Sequence, residues 1–439
     1  MTEKKLPALI DRLLGGATPP ASRTMPSSPT ARRWPGLLLG AGQRGPVYAG
    51  PEHHLLAIGP PRAGKSTRIV MPAVAWHPGP VVVTSTKPDV LRATVAARSR
   101  LGRCYLWDPT ATTSVPDGVE PLRWSPIVGC DDWDLAVARA HALASAARPE
   151  SHRGYDGHWV ERAQALLAPL LNAAALVGGD MTCVLSWLHH RELLQPISLL
   201  TQWRSPIAAD VLQGIAATDT REQSGIFSTA DGLLAAYRTN AALQAARRPD
   251  FDADAFASGR DTLYICAPGT AQAQHAPLVV ALLDQIRTAT YRHRPDPPML
   301  WALDELAHIA PLADLPATIA EGGSQGLVVL ACLQDLSQAR TRWGPAADGF
   351  LTLFVHTILL PGVADMATLR QISALAGEMD VPYKSVSRPT KLFAHATVTT
   401  HLQRLPRLPV DAIATGHPSH TLLLTRGRPC SIQLPTIAG

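Results

Sequence analysis

Residues Gly59-Pro60-Pro61-Arg62-Ala63-Gly64-Lys65-Ser66-Thr67 follow the pattern G-x-x-x-x-G-K-S, which binds phosphate. The glycines let backbone N–H groups close around phosphate oxygens, and the lysine ammonium reaches the outer phosphates. Ser66 adds a hydroxyl that suits a magnesium ion. The same letters can arise by chance in a loop rich in glycine and proline. The flanks argue against chance here. His53-His54-Leu55-Leu56-Ala57-Ile58 is an apolar run of strand length, and Ser66-Thr67-Arg68-Ile69-Val70-Met71 can open a helix. Strand, glycine loop and helix in that order aim a helix amino terminus at the phosphates. Pro72 fits poorly inside such a helix and is expected to bend it.

A second apolar run, Met299-Leu300-Trp301-Ala302-Leu303, ends in Asp304-Glu305. Alone, the two acids would be a strand end capped at solvent. Downstream of a phosphate loop they have another use. The aspartate faces a water bound on magnesium, and the glutamate orients or deprotonates the attacking water. Neighbouring side chains leave a strand on opposite sides, which suits two separate tasks. A third run, Gly326 to Leu333, ends at Gln334. That amide either senses a terminal phosphate or is a surface glutamine in a loop. Thr86-Lys87-Pro88-Asp89 resembles a guanine-reading T/N-K-x-D. It lies only about twenty residues past the phosphate loop, too close for a separate base-reading strand. It is expected as a loop after the second strand, so ATP is preferred over GTP.

Composition limits the alternatives. The 439 residues are 46% hydrophobic and 17% charged, as expected for a globular chain with a substantial core and two domains or one large one. Net charge is +5 with a pI near 9.0, and almost all the positive charge is arginine. Arginine favours bidentate phosphate contacts, but this modest excess permits nucleic-acid contact without establishing it. The six cysteines form no C-x-x-C pair, which fits free thiols in a reducing compartment. The sixteen histidines show no metal spacing, so magnesium is the one metal expected. The first residues are polar, with no signal-peptide core. No apolar run reaches the roughly 18 residues of a membrane span; Ala165–Gly179, with Pro169 and Asn172, reads as a buried helix.

These groups need elements to position them. Residues 3–14 can form a short amphipathic helix, read as disorder, a partner contact or a membrane-surface segment. Gly15–Pro35 reads as a flexible tether. Strands are then expected at Leu55–Ile58, Val81–Thr84, Cys104–Trp107, Leu263–Cys266, Leu300–Leu303, Val328–Cys332 and Leu353–Leu360, with helices between most of them. That alternation predicts a mostly parallel sheet covered by helices. Between Trp107 and Leu263, about 150 residues read as helical, notably Trp133–Ala147, Trp159–Val177, Thr182–Leu200 and Ala208–Ala217. The expected division is a tether over 1–36, an α/β nucleotide-binding domain over 37–115 and 251–439, and an inserted all-α domain over 116–250. The chain end, Thr421–Leu434, is expected as a hairpin around Arg426–Pro429. Lys384, Arg388, Lys391, Arg404 and Arg407 lie either in a solvated flexible loop or against a DNA backbone.

In order along the chain, these pieces resemble the type IV secretion coupling proteins, the TraG/TraD-type conjugative DNA-transfer ATPases, over roughly residues 37 to 435. The resemblance is carried by Gly40 and Val47-Tyr48 before the phosphate loop, and by Val81 to Lys87. It continues through Asp156-Gly157-His158-Trp159, Ser224 to Thr229 and Leu263 to Pro268. Its most specific stretch runs from Asp304-Glu305 to Leu333-Gln334-Asp335-Leu336-Ser337-Gln338 and on to Trp343-Gly344. It implies a RecA-like P-loop NTPase fold with an inserted all-α domain, and a ring homo-hexamer that hydrolyses ATP with Mg²⁺ between subunits. Gly59 to Thr67 would cradle the nucleotide and Ser66 and Asp304 would hold the metal. Lys65, Glu305 and Gln334, the γ-phosphate sensor, would be catalytic. The implied cargo is single-stranded DNA or a relaxase–DNA complex, handed to a type IV secretion channel.

Two departures stand out. Relatives usually begin with transmembrane helices, and here the start is polar. The expected location is therefore cytoplasmic, peripheral at the inner face of the membrane through a partner protein. Relatives also carry a trans-acting arginine in G-R-x-x-G, whereas Glu321-Gly322-Gly323-Ser324-Gln325-Gly326 has none. Arg340 or Arg342 would have to supply it, or hydrolysis is weak. The alternatives are a nucleotide-switched cargo-recruitment module and a hexameric double-stranded DNA pump. The helical insert and the Gln334–Gly344 run argue against the pump.

Overall fold

The structure, a computed structural model, describes residues 34–146, 156–387, 397–417 and 419–435. The helix expected at 3–14, nearly all of the tether, and Arg388 and Lys391 lie outside the described residues.

In chain order the strands are β1 (Leu38–Gly42), β2 (Gly45–Tyr48), β3 (Leu55–Ile58), β4 (Val81–Ser85), β5 (Cys104–Trp107), β6 (Val119–Pro121) and β7 (Thr262–Cys266). They continue as β8 (Met299–Leu303), β9 (Leu327–Leu333), β10 (His356–Leu359), β11 (Glu378–Ser387), β12 (Thr397–Pro406), β13 (Thr421–Thr425) and β14 (Arg428–Ile432). Ten of them form one sheet in the order β14-β13-β10-β3-β9-β8-β4-β7-β5-β6. Every pairing from β10 to β6 is parallel, and β13 and β14 add an antiparallel hairpin at one edge. β3, β4, β7, β8 and β9 are buried along their whole length. Unbroken apolar runs of this kind belong to parallel strands covered on both faces. Alternate residues feed two cores. Leu56, Ile58, Trp301 and Leu303 face one layer, and Leu55, Ala57, Leu300 and Ala302 face the other.

From Trp133 to Ser258 every described element is helical. This stretch shares a core with the 22-residue helix Gln272–His293 and the β8–β9 face of the sheet. Buried polar groups join the layers. Arg139 Nη1 donates to Ala281 O at 2.6 Å, and its guanidinium lies 5.6 Å from the centre of the Trp124 ring. Burial lowers the Arg139 pKa. Asn172 Nδ2 donates to Cys130 O at 2.7 Å.

Several elements differ from expectation. The stretch Thr182–Leu200 is two helices, Met181–His190 and Leu194–Gln202, broken where Arg191 turns left-handed at φ 52. The run Leu353–Leu360 starts inside the helix Phe350–Leu353, and only His356–Leu359 is strand. Around Pro72 the helix is irregular. Ser66–Val70 is a π-turn, closed by the Met71 N–H on Ser66 O, and an α-helix follows over Met71–Trp76. A proline next to a widened turn lacks only a donor that the regular ladder would have used. Of the basic residues expected in a loop or against DNA, Lys384 and Arg404 lie in a paired ribbon, β11 against β12, and Arg407 directly follows it. The Arg426-Gly427 turn, with φ 49 and 74, joins β13 to β14 as a two-residue hairpin. Among the described residues no helix is long and apolar enough to cross a membrane.

Three histidines are buried at or near strand starts. Burial pushes His77 down to about 3, and His54 and His356 down to about 4. Folded, these rings stay neutral to about pH 4, whereas unfolded they take up protons below the ordinary 6.5. Stability is therefore complete above 6.5 and is lost as pH falls toward 4, by about 1.4 kcal/mol per pH unit for each ring. Denaturant midpoints across this interval should fall steeply on acidification, and less so for His54→Gln/His356→Gln. A flat wild-type profile would contradict the burial of these rings.

Candidate functional site

β3, β9 and β8 are neighbours, so their carboxyl ends stand side by side. Ligand sites of open parallel sheets form outside those ends. Gly59 leaves β3 and donates its N–H to Leu333 O at 3.1 Å, tying the loop to the end of β9. A Cβ at Gly59 would sit 2.7 Å from Leu360 Cβ, so only glycine fits. The turn closes with Ala63 N–H on Pro60 O at 3.3 Å, and Arg62 and Gly64 have φ of 65 and 98. For Gly64 that conformation is free; for Arg62 it is strained. Pro61, Arg62 and Thr67 are exposed around the loop mouth.

Lys65 is buried. Its Nζ donates to Gly59 O at 2.5 Å and Pro60 O at 3.1 Å, so the loop's own carbonyls hold the ammonium. Ser66 Oγ donates to Asp304 Oδ2 at 2.6 Å, across 238 residues of sequence. Asp304 is 6% exposed, and burial raises its carboxyl pKa against the opposing pull of the Ser66 hydroxyl and the Lys65 charge. Thr84 Oγ1, at the end of β4, donates to Asp304 O at 3.1 Å and fixes the strand end. The Cys332 thiol on β9 lies against Asp304, and burial pushes its pKa well up, so it stays protonated.

A hydroxyl in contact with a carboxylate that burial disfavours as an anion is a donor pair suited to a hard divalent cation. Magnesium is held in such sites by one or two protein oxygens, with substrate phosphates and waters as the other ligands. Among the described residues there is no cluster of three or more His, Cys, Asp or Glu able to hold any other metal.

Glu305 follows Asp304 in the left-handed conformation, φ 56 and ψ 43, and its carbonyl accepts from His308 N and Ile309 N. A strained acid at a strand end is what a positioned functional carboxylate looks like. Gln334 follows β9, between the loop and Asp304 in the sheet order. Its N–H donates to Gln338 Oε1 at 2.9 Å, and Asp335 caps the following helix, Leu336–Trp343, by accepting from Ser337 N and Gln338 N. The Q-x-x-x-Q spacing is thus the reach from a third helical position back to the residue before the cap. Sequence reasoning gave Thr84, Cys332 and Gln338 no part in the site. Thr84 had a visible signal, a hydroxyl closing an apolar run, and Gln338 had its four-residue spacing from Gln334; Cys332 had none.

The expected sources of a trans arginine fare differently. The Arg342 Nη2 donates to Ser145 O, Ala146 O and Pro311 O at 3.1, 3.1 and 2.7 Å, in the interior. Arg340 is partly exposed and reaches Asp348 at 3.2 Å and Asp365 at 3.3 Å. The arginine-free stretch Glu321–Gly326 precedes β9 and so lies at the opposite end of the strands from Lys65.

A family model described as type IV secretory system conjugative DNA transfer matches residues 25–407. No curated protein sequence matches. Similar solved structures include the bacterial conjugative coupling protein TrwBΔN70 in its unbound form, at 18% identity and TM-score 0.68 over 93% of this chain and 90% of that one. The plasmid coupling protein TrwB with ADP and Mg²⁺ aligns at 18% identity and TM-score 0.65, over 93% and 90% of the two chains. TrwB with the non-hydrolysable ATP analogue ADPNP aligns at 17% and 0.65, over 94% and 96%. At these identities the likeness shows the fold, an α/β P-loop NTPase.

The two arginines can be separated by stability. Arg342→Ala strips two buried carbonyls and one half-buried carbonyl of this donor and is expected to lower the unfolding free energy by roughly 2–4 kcal/mol. Arg340→Ala removes only surface pairs and should cost no more than about 1 kcal/mol. Denaturant unfolding of the two variants checks this, and equal losses would contradict the buried clamp.

Proposed function

Because this chain belongs to the conjugative DNA-transfer family of type IV secretory systems, we propose that it is an ATP-driven coupling protein that moves single-stranded DNA or a relaxase–DNA complex toward the secretion channel. The observation that carries the reading is the Ser66–Asp304 contact beneath a loop that holds Lys65 ready. ATP is the substrate, and TrwB is known in complexes with ADP and Mg²⁺ and with ADPNP. Magnesium bound by Ser66 and Asp304 would offset the negative charge on the β- and γ-phosphates. The loop Gly59–Thr67 holds the phosphates through the backbone N–H groups of Arg62 and Gly64 to Thr67, because Pro60 and Pro61 have none and those of Gly59 and Ala63 are taken by Leu333 O and Pro60 O. Lys65 exchanges its carbonyl partners for phosphate oxygens. Glu305 orients the attacking water and accepts its proton, and Gln334 reads the γ-phosphate. Residues 116–250 serve as the helical unit that meets cargo. The working assembly is a homo-hexamer at the cytoplasmic face of the membrane, attached through a partner.

One observation favours a second reading. Arg342 is committed to carbonyls and Arg340 to two carboxylates, so neither is held ready for a neighbour's nucleotide. A chain that binds ATP and barely hydrolyses it would act as a nucleotide-switched recruitment module.

Lys65→Ala is expected to reduce hydrolysis by roughly 10²- to 10³-fold. Glu305→Gln should leave nucleotide affinity intact and lower turnover by roughly 10²- to 10⁴-fold. Hydrolysis unchanged in Lys65→Ala would remove the site assignment. Intact ATP binding with no turnover by the wild-type oligomer on single-stranded DNA would select the switch.

A further inference from the structure

After the helix Met366–Ala376 the chain runs out as the ribbon β11–β12, ten residues to a strand and paired from Glu378↔Pro406 to Ser387↔Thr397. At its root Arg407 N donates to Gly377 O at 2.9 Å and Arg407 Nε to Glu378 O at 3.2 Å. Farther out, His401, Gln403 and Arg404 are exposed, Tyr383 is 57% exposed and Leu402 72%. A two-stranded ribbon alone in water is marginally stable, so one this long and this open calls for something to lie against.

The chemistry of that partner is written in the charges. Glu378 and Asp380 lie at the ribbon's root, where Glu378 pairs with Arg404 at 2.7 Å, and beyond them, from 381 to 410, there is no aspartate or glutamate while Lys384, Arg388, Lys391 and Arg407 occur. The fold then adds an arginine from elsewhere. A cleft of about 430 Å³ opens at the ribbon's root, lined by Leu375, Arg407, Leu408, Gly427 and Arg428. The β13–β14 turn thereby brings exposed Arg428 beside Arg407. The register also sets Tyr383 opposite His401, two flat rings on neighbouring strands. Guanidinium groups take phosphates, and flat exposed rings take unpaired bases.

The ribbon is also connected to the nucleotide site. Leu336 N, two residues past Gln334, donates to Thr368 Oγ1 at 3.2 Å. Asp365 caps the helix that leads into the ribbon and accepts from Arg340. We propose that the β11–β12 ribbon and the Arg407–Arg428 cleft at its root form a binding arm for single-stranded nucleic acid. Phosphates sit on the two arginines and a base stacks on the Tyr383–His401 pair. This rests on the reading above, in which the cargo is DNA.

The test is binding of a fluorescent single-stranded oligonucleotide by the full chain over a series of salt concentrations. Arg407→Ala/Arg428→Ala should make the slope of log affinity against log salt shallower by about 1.4, which is about 0.7 for each phosphate left without its arginine. Arg407→Lys/Arg428→Lys should restore it. Tyr383→Ala should weaken binding roughly tenfold at unchanged slope. DNA-free ATP hydrolysis should match wild type in all three, which shows they are folded. Wild-type affinity and slope in the alanine variants would overturn the arm and leave the proposed function standing. No salt-dependent binding by the wild type would overturn both. Loss confined to phosphatidylglycerol vesicles, with DNA binding intact, would make the ribbon a membrane contact and overturn the proposal.

Discussion

The hydrogen bond from Ser66 to Asp304, 2.6 Å long, can form only if β3 and β8 end at the same level of the sheet although β9 lies between them. The register that achieves this pairs Ile58 with Leu333 and Leu303 with Ala331. A slip of one residue in any of these strands would move every side chain to the wrong core, because the two cores take alternate residues. Apolar packing over the full sheet thus sets a polar contact to within a fraction of an ångström. The same order puts Gln334 between the loop and the acids with no extra device.

Charge burial explains how the site is poised. Lys65 and Asp304 are both shielded from water, where an unpaired charge is costly. Each has partial partners: two loop carbonyls for the ammonium, a hydroxyl for the carboxylate. None of these partners is an opposite full charge within hydrogen-bond range. The site is therefore under-compensated on both signs, and an incoming phosphate–cation pair satisfies both at once. The strained backbone at Arg62 and Glu305, beside these groups, fits a geometry held for a ligand.

Much of this was legible in the residues. The loop Gly59–Thr67, the acids Asp304-Glu305 and the strands leading to them were readable because a buried parallel strand must be a continuous apolar run and its polar end must be chemistry or cap. The terminal hairpin was legible from the turn at Arg426-Gly427. What the sequence hid is tertiary. Nothing near Arg342 says that its guanidinium is held by carbonyls from a distant helix end, at Ser145 and Ala146, and from Pro311. Nothing in the mixed, weakly alternating stretch 378–406 separates a ribbon from a loop, since none of its residues whose burial is described is buried in a core. Leu353–Leu360 reads as strand throughout because aromatic residues suit both states. Phe350 and Phe354 instead pack in a row with Trp343, their rings tilted to one another, and the strand begins only at His356.

The helix Leu336–Trp343 links the nucleotide site to both of its surroundings, because it begins directly after Gln334-Asp335 and is held on two sides of very different stiffness. On one side Arg342 joins it to the end of the helix Trp133–Ser145 and to the loop after β8, and Trp343 Nε1 adds a bond to Leu312 O at 2.6 Å. These are buried hydrogen bonds from a charged and an indole donor, each costly to break. On the other side Arg340 meets Asp348 and Asp365 at the surface, where such pairs contribute little. A displacement of Gln334 carried by this helix meets the greater resistance from the buried clamp. The softer surface pairs yield first, and they lead through Asp365 and Thr368 into the helix Met366–Ala376 and the ribbon beyond it. The fold thus biases any movement at Gln334 toward the β11–β12 ribbon and away from the helix Trp133–Ser145.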